Sequence, residues 1–222
     1  VMVFYSLILV FLFLLLVVKN PFSFVWETFA KDGIPDGFAP PNGRGLNPLL
    51  HNIWITIHPP ILFTGFAAMS VPFAFAMGAM IKREYQSWIE IALPWTLYGT
   101  AILGFGIMLG GFWAYETLGW GGFWGWDPVE NSSLIPWLVA VGLVHTMLVQ
   151  RKTGGLVKTN IILAVTAFIL VLYSTFLTRS GVLGDTSVHS FVDPGKFAFI
   201  LLIAFMITFE LLGYGFVIYR RK

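Results

Sequence analysis

Four histidines, nine tryptophans and no cysteine set the chemistry open to this 222-residue chain. Imidazoles bind metals through a neutral ring nitrogen. Indole faces stack on flat molecules, each aromatic contact contributing about 0.5–1.5 kcal/mol beyond simple burial. Five of the tryptophans crowd into Trp113 to Trp137, which reads W-A-Y-E-T-L-G-W-G-G-F-W-G-W-D-P-V-E-N-S-S-L-I-P-W. There Trp113, Trp120, Trp124 and Trp126 are interleaved with Gly119, Gly121, Gly122 and Gly125, and glycine lets a backbone turn sharply and lie close against a ligand. The spacing describes a platform for a planar molecule. The competing reading is an interfacial aromatic belt where helices meet headgroups, but a belt gives no role to the glycines or to Asp127 and Glu130. Those acids also match a helix start, with Asp127 as N-cap, Pro128 at the first position and Glu130 at the third. On the residues alone, each pair of readings stands open.

The histidines fall at distinct depths. His58 lies in Ile57-His58-Pro59-Pro60 at the start of an apolar run, where prolines in a first helical turn fix the entry angle of the chain. His189 lies in a polar loop. Two neutral imidazoles flanking a flat aromatic surface are the donor set for bis-histidine ligation of haem iron; either one taken alone reads more simply as a hydrogen-bonded loop histidine. His145 is buried inside an apolar run, about twelve residues past Ser133 and so roughly 18 Å along a helix axis. An ionisable group at that depth is functional by default, against the alternative of a neutral imidazole bonded to a neighbouring helix. His51 receives no role. The chain has no C-x-x-C-H site and so carries no covalent haem of its own.

The elements that must position these groups follow from composition. With 57% hydrophobic and 11% charged residues the chain departs from a soluble domain, and its long uncharged runs meet the need for about 20 apolar residues per spanning helix. Six spans are expected, at residues 2–18, 54–80, 91–114, 133–149, 160–178 and 197–218. The first has no basic residue before it and no small-residue cleavage pattern after it, so it is read as a helix rather than a signal peptide. The runs lack the polar–apolar alternation of barrel strands, so backbone amides must pair within helices. The fold class is an all-α polytopic membrane protein, with residues 1–222 as a single membrane domain and residues 112–131 as a tryptophan-rich loop within it.

Lys82, Arg83, Arg151, Lys152, Lys158, Arg220, Arg221 and Lys222 occupy short loops and a tail, which marks their face as cytoplasmic. Both termini then lie on that side, or on the matrix side in a mitochondrion. The long polar segments 19–53, 112–132 and 179–196 face away from it. No nucleic-acid partner is expected.

The tryptophan segment resembles the WWD signature of haem-handling membrane proteins, and specifically the CcmF type of cytochrome c haem lyase. The resemblance rests on Trp120-Gly121-Gly122-Phe123-Trp124-Gly125-Trp126-Asp127-Pro128-Val129-Glu130-Asn131, supported by Gly45-Leu46-Asn47-Pro48-Leu49-Leu50 leading to His58-Pro59-Pro60, Pro136-Trp137 leading to His145, and Arg179-Ser180-Gly181-Val182-Leu183 leading to His189. Phe123 stands where the family has another tryptophan, and Gly184-Asp185 looks like a two-residue insertion. The resemblance implies that His58 and His189 ligate an incoming haem at the WWD loop, and that His145 ligates a resident haem b which reduces it. Apocytochrome c would supply the thiols, with a haem chaperone or other maturation subunits as partners. The second ligand to the resident haem is expected from another polypeptide, because His51 lies on the wrong side of the membrane. Haem propionates favour guanidinium partners, which makes Arg179 a candidate.

The membrane implied is a bacterial or archaeal plasma membrane or the mitochondrial inner membrane. Two other functions compete: haem delivery or export of the CcmC type, and a transporter or scaffold whose aromatic loop is merely interfacial.

Overall fold

A computed structural model describes residues 1–43, 45, 48, 51–117, 121–187, 189 and 194–220. All regular structure among the described residues is helical. Helix α1 (Met2–Val18) is followed by the short α2 (Val25–Thr28), then α3 (Ile53–Ala68), α4 (Ser70–Lys82), α5 (Trp88–Glu116), α6 (Pro128–Thr153), α7 (Val157–Arg179) and α8 (Lys196–Tyr219). Five stretches are long and apolar enough to cross a membrane: α3 and α4 taken together, and α5, α6, α7 and α8 individually. The remaining expected span, α1, is a 17-residue apolar helix, at the lower limit of about 17 residues for crossing.

Helix ends differ from the hydropathy limits for local reasons. Asn52 caps α3 by accepting the Trp54 amide at 3.0 Å, so the helix begins at Ile53 and Pro59 and Pro60 fall beyond its first turn. The sequence had placed these prolines in the entry turn. They stand inside the helix instead, and withhold donors from the carbonyls of Ile55 and Thr56. At Met69 the amide bonds back to Phe66 O at 3.1 Å, a tightened turn of the kind that ends helices, and α4 continues from there.

Lipid is as apolar as leucine, so membrane helices associate through close packing of small residues rather than through a hydrophobic force. The α3–α5 seam follows that rule. A Cβ on Gly65 would stand 2.5 Å from Leu103 Cα, and one on Gly106 would stand 2.7 Å from Leu62 Cα. The largest buried cluster centres on Phe73 of α4, whose ring lies 4.6 Å from Phe168 of α7 and 5.7 Å from Phe209 of α8. A second cluster, including Phe66, Met69, Leu103 and Ala140, fills the space between α3, α5, α6 and α7.

The antiparallel succession gives the bundle two dissimilar ends. At one, the start of α3, the end of α5, the start of α6 and the end of α7 surround a cavity. At the other, the fully buried Gln150 and Asn160 pair at 2.7 Å. Gln150 also donates to Tyr85 O at 2.7 Å, and Gln86 donates to Gly154 O at 2.9 Å. These bonds tie the α4–α5 connection to the α6–α7 turn.

Gly106→Val is expected to wedge the α3–α5 seam apart and destabilise the bundle by about 1–3 kcal/mol, the usual result of overpacking. Thermal unfolding in detergent measures this, and an unchanged midpoint would contradict the close approach described.

Candidate haem-binding site

The cavity, of about 310 Å³, gathers six residues singled out in the sequence: His58, Trp113, Trp124, Glu130, Arg179 and His189. Leu62, Phe66 and Ile107 give it an apolar floor. Trp113 is buried and lies beside both histidines, its ring centroid 6.0 Å from that of His58 and 6.2 Å from that of His189. Gly110 makes room for the first imidazole, since a Cβ there would stand 2.7 Å from His58 Cε1.

Each histidine is oriented through its Nδ1. His58 Nδ1 lies 2.8 Å from Gly106 O; a carbonyl only accepts, so Nδ1 carries the proton and Nε2 keeps the lone pair. His189 Nδ1 lies 3.2 Å from Asp127 Oδ1, and a carboxylate likewise fixes the proton on Nδ1. A metal-ligating histidine is commonly held in this way, by a carbonyl or carboxylate on the nitrogen away from the metal.

Asp127 has a second role. Its Oδ1 also accepts the Val129 amide at 2.8 Å, capping α6, and the Ser187 hydroxyl at 2.9 Å. Glu130 completes the capping box. Its Oε2 accepts the amides of Gly125 at 2.9 Å and Asp127 at 3.3 Å. Between those amides stands Trp126, at φ +55°, a left-handed conformation that is sterically unfavourable for a bulky side chain. The Asn131 side chain holds it from the other side, donating to Trp126 O at 3.1 Å. The helix-start reading of Asp127 and Glu130 and the site reading therefore describe one set of bonds.

Trp126 itself is 74% exposed and stands edge-on to Trp124, outside the cavity lining. Phe123, at the family's tryptophan position, stacks on Tyr115 at 4.2 Å. Trp120 lies outside the described residues, as do Gly119 and most of Gly45–Leu50. Arg179 is half-buried at the cavity, its Cζ 5.8 Å from the Phe63 ring centroid.

His145 is elsewhere. The depth argument placed it buried, but the helix turns it to the exposed flank of α6, beside a groove of about 390 Å³ between α5 and α6. The groove is bordered by Leu97, Gly104, Trp137 and Val144. His145 Nδ1 lies 2.8 Å from Val141 O, so its hydrogen-bond partner among the described residues is its own helix. Three orienting residues were not singled out in the sequence: Gly106, Gly110 and Ser187. The Gly-x-x-x-Gly spacing of the first two was a usable signal, whereas Ser187 carried none.

The family model described as cytochrome c assembly protein matches residues 1–183, a stretch that contains His58, the tryptophan loop and His145. The chain belongs to that family. It is of the CcmF type: it is 45% identical over 200 residues to the cytochrome c-type biogenesis protein CcmF of Pseudomonas aeruginosa, covering 89% of this chain and 29% of the relative. It is 43% identical over 199 residues to CcmF of Escherichia coli, again covering 89% and 29%. A solved structure described as cytochrome c haem lyase CcmF matches with a TM-score of 0.64 and 36% identity, over 76% of this chain and 26% of that one. The chain thus spans less than a third of the length of the relatives it matches. Its apolar helices and this membership make the CcmF-type chain an integral membrane protein of the cytochrome c biogenesis family.

Asp127→Ala is expected to remove the α6 cap and lower stability by about 1 kcal/mol, whereas Asp127→Asn, an equally good cap, keeps it. Unfolding curves of the two variants in detergent make the comparison. Equal losses would mean that capping is not what Asp127 contributes to the fold.

Proposed function

We propose that this chain forms the haem-holding part of a cytochrome c haem lyase, with haem bound in the cavity between His58 and His189. One observation carries the reading: two histidines distant in sequence converge on one tryptophan-walled cavity, each oriented by a contact at Nδ1. The donor set fits a bis-histidine haem, and the apolar floor fits its porphyrin.

Haem supplies the reactive vinyl groups, across which the cysteine thiols of apocytochrome c add to form thioethers. The chain's own residues bind and orient. His58 and His189 would hold the iron, Trp113 and Trp124 would stack on the ring, and Arg179 would pair with a propionate. Leu62, Phe66 and Ile107 keep water from the inner edge. Asp127 positions His189 rather than touching haem. The tryptophan-rich segment expected as a loop over 112–131 includes the end of α5, with Trp113, and the start of α6; it faces the extracytoplasmic side, where apocytochrome c and a haem chaperone or other maturation subunits reach it. The match to CcmF relatives favours ligation over delivery or export of haem, and the meeting of Trp113 and Trp124 with both histidines at one cavity favours a binding role over an interfacial belt.

We propose in addition that His145 ligates a resident haem b in the α5–α6 groove. The other ligand to that haem would then come from outside these 222 residues, from a second polypeptide or further chain. The exposure of His145 beside an apolar groove supports this.

The visible spectrum of the protein purified with its partners tests both sites. His58→Ala and His189→Ala are expected to remove the haem of the cavity and leave the resident haem, and His145→Ala to do the reverse. Asp127→Asn is expected to weaken haem binding about 10–100-fold, as loss of an outer-shell partner does, with the fold intact. A Soret band indifferent to all three histidines would end the proposal.

A further inference from the structure

Charged side chains in the five membrane-crossing stretches keep to the ends, with one exception. Lys82, Glu90, Glu116, Glu130, Arg151, Lys152, Lys158, Arg179 and Lys196 all stand within three residues of a terminus. Glu210 is the exception, in the interior of α8 (Lys196–Tyr219). At about 1.5 Å per residue it stands roughly 13 Å from the nearer helix end, inside a hydrocarbon layer about 30 Å thick. A carboxylate there is costly unless a partner or a proton neutralises it.

This chain supplies no partner among the described residues. Phe205, Phe209 and Gly213 face the core, Gly213 against Val165 of α7. Glu210 is partly exposed on the flank of that face. One turn away Tyr214 already bonds Thr166 at 2.9 Å. Beside Glu210 run Ile207 and Leu211, 44% and 70% exposed, and Gly215, with nothing within 4 Å of a Cβ built on it. Of the five crossing stretches, α8 has the smallest share of its apolar window buried in this chain, 28%. Lipid alone accounts for the isoleucine and leucine, but not for the acid.

We propose that the outer face of α8 around Glu210 docks a further transmembrane helix bearing an arginine or lysine at the same depth, which pairs with the Glu210 carboxylate. Charge complementarity selects that occupant, because a cation both neutralises the acid and is itself neutralised. The relatives supply its source, since more than two-thirds of their length lies beyond the region matched here. This inference is independent of the haem reading, and α8 borders neither the cavity nor the His145 groove.

These 222 residues hold no cysteine, so one introduced among them is their single labelling site, and the chain is labelled before it joins unlabelled partners. A nitroxide attached through Leu211→Cys is followed in the assembled complex in its native membrane, reading spin mobility and collision with dissolved oxygen. Wild-type Glu210 is expected to give an immobilised label shielded from oxygen. Glu210→Gln, Glu210→Ala and Glu210→Lys are each expected to raise oxygen access severalfold while helicity and the haem spectrum stay unchanged. These variants relieve a buried charge or reverse it on an outer face, so the subunit's own packing is retained. A label exposed to lipid in the wild type overturns the proposal. So does an immobilised label that ignores every Glu210 change, and one freed by Lys but not by Gln overturns the basic partner in favour of a neutral hydrogen bond.

Discussion

The Asp127 carboxylate is the point on which the site end of the molecule turns. A single oxygen accepts the first amides of α6, the Ser187 hydroxyl and the His189 ring. Three parts of the chain are fixed by it: the tryptophan loop that precedes α6, the helix itself, and the connection between α7 and α8. Capping and ligand orientation are usually separate tasks assigned to separate residues. Here the helix N-terminus supplies the backbone donors that a carboxylate wants, and the same carboxylate still has capacity for the imidazole. The strained Trp126 depends on this arrangement, since Glu130 grips the amides on either side of it.

Away from Asp127, the bundle is held by close approach and a few polar clasps rather than by apolar burial alone. Gly65 and Gly106 let α3 lie against α5, which carries His58 to the carbonyl that orients it. At the far end the buried Gln150 and Asn160 are joined to each other, which offsets part of the cost of burying amides. The bundle is thereby pinned at both ends, with phenylalanines packed between.

Much of this was legible in the sequence for physical reasons that can be named. Long uncharged runs marked the spanning helices, because an unpaired amide cannot be left in lipid. Asp127-Pro128 and Glu130 announced the start of α6, because a capping box is written in side chains. Other features were illegible because they are written in backbone. The acceptor for His58 is a carbonyl, which has no letter of its own, and the left-handed turn at Trp126 sends outward an indole that composition counts with the others. The outward turn of His145 was hidden for a different reason: depth along a helix can be read from spacing, but rotation about its axis is set by neighbours. Pro59 and Pro60 misled because proline was taken to mark the entry turn, whereas the Asn52 cap starts the helix at Ile53, six residues before Pro59.

The two tethers on the cavity histidines are of unequal kind. His58 gives its Nδ1 proton to a peptide carbonyl, and His189 gives its own to a carboxylate. The carbonyl belongs to the backbone of α5, while the carboxylate sits on a side chain at the start of α6. Residues that read as a matched pair in the sequence are therefore tied to different helices. On the proposed reading, a haem gripped by both would sense any change in the spacing of α5 and α6 at this end of the bundle.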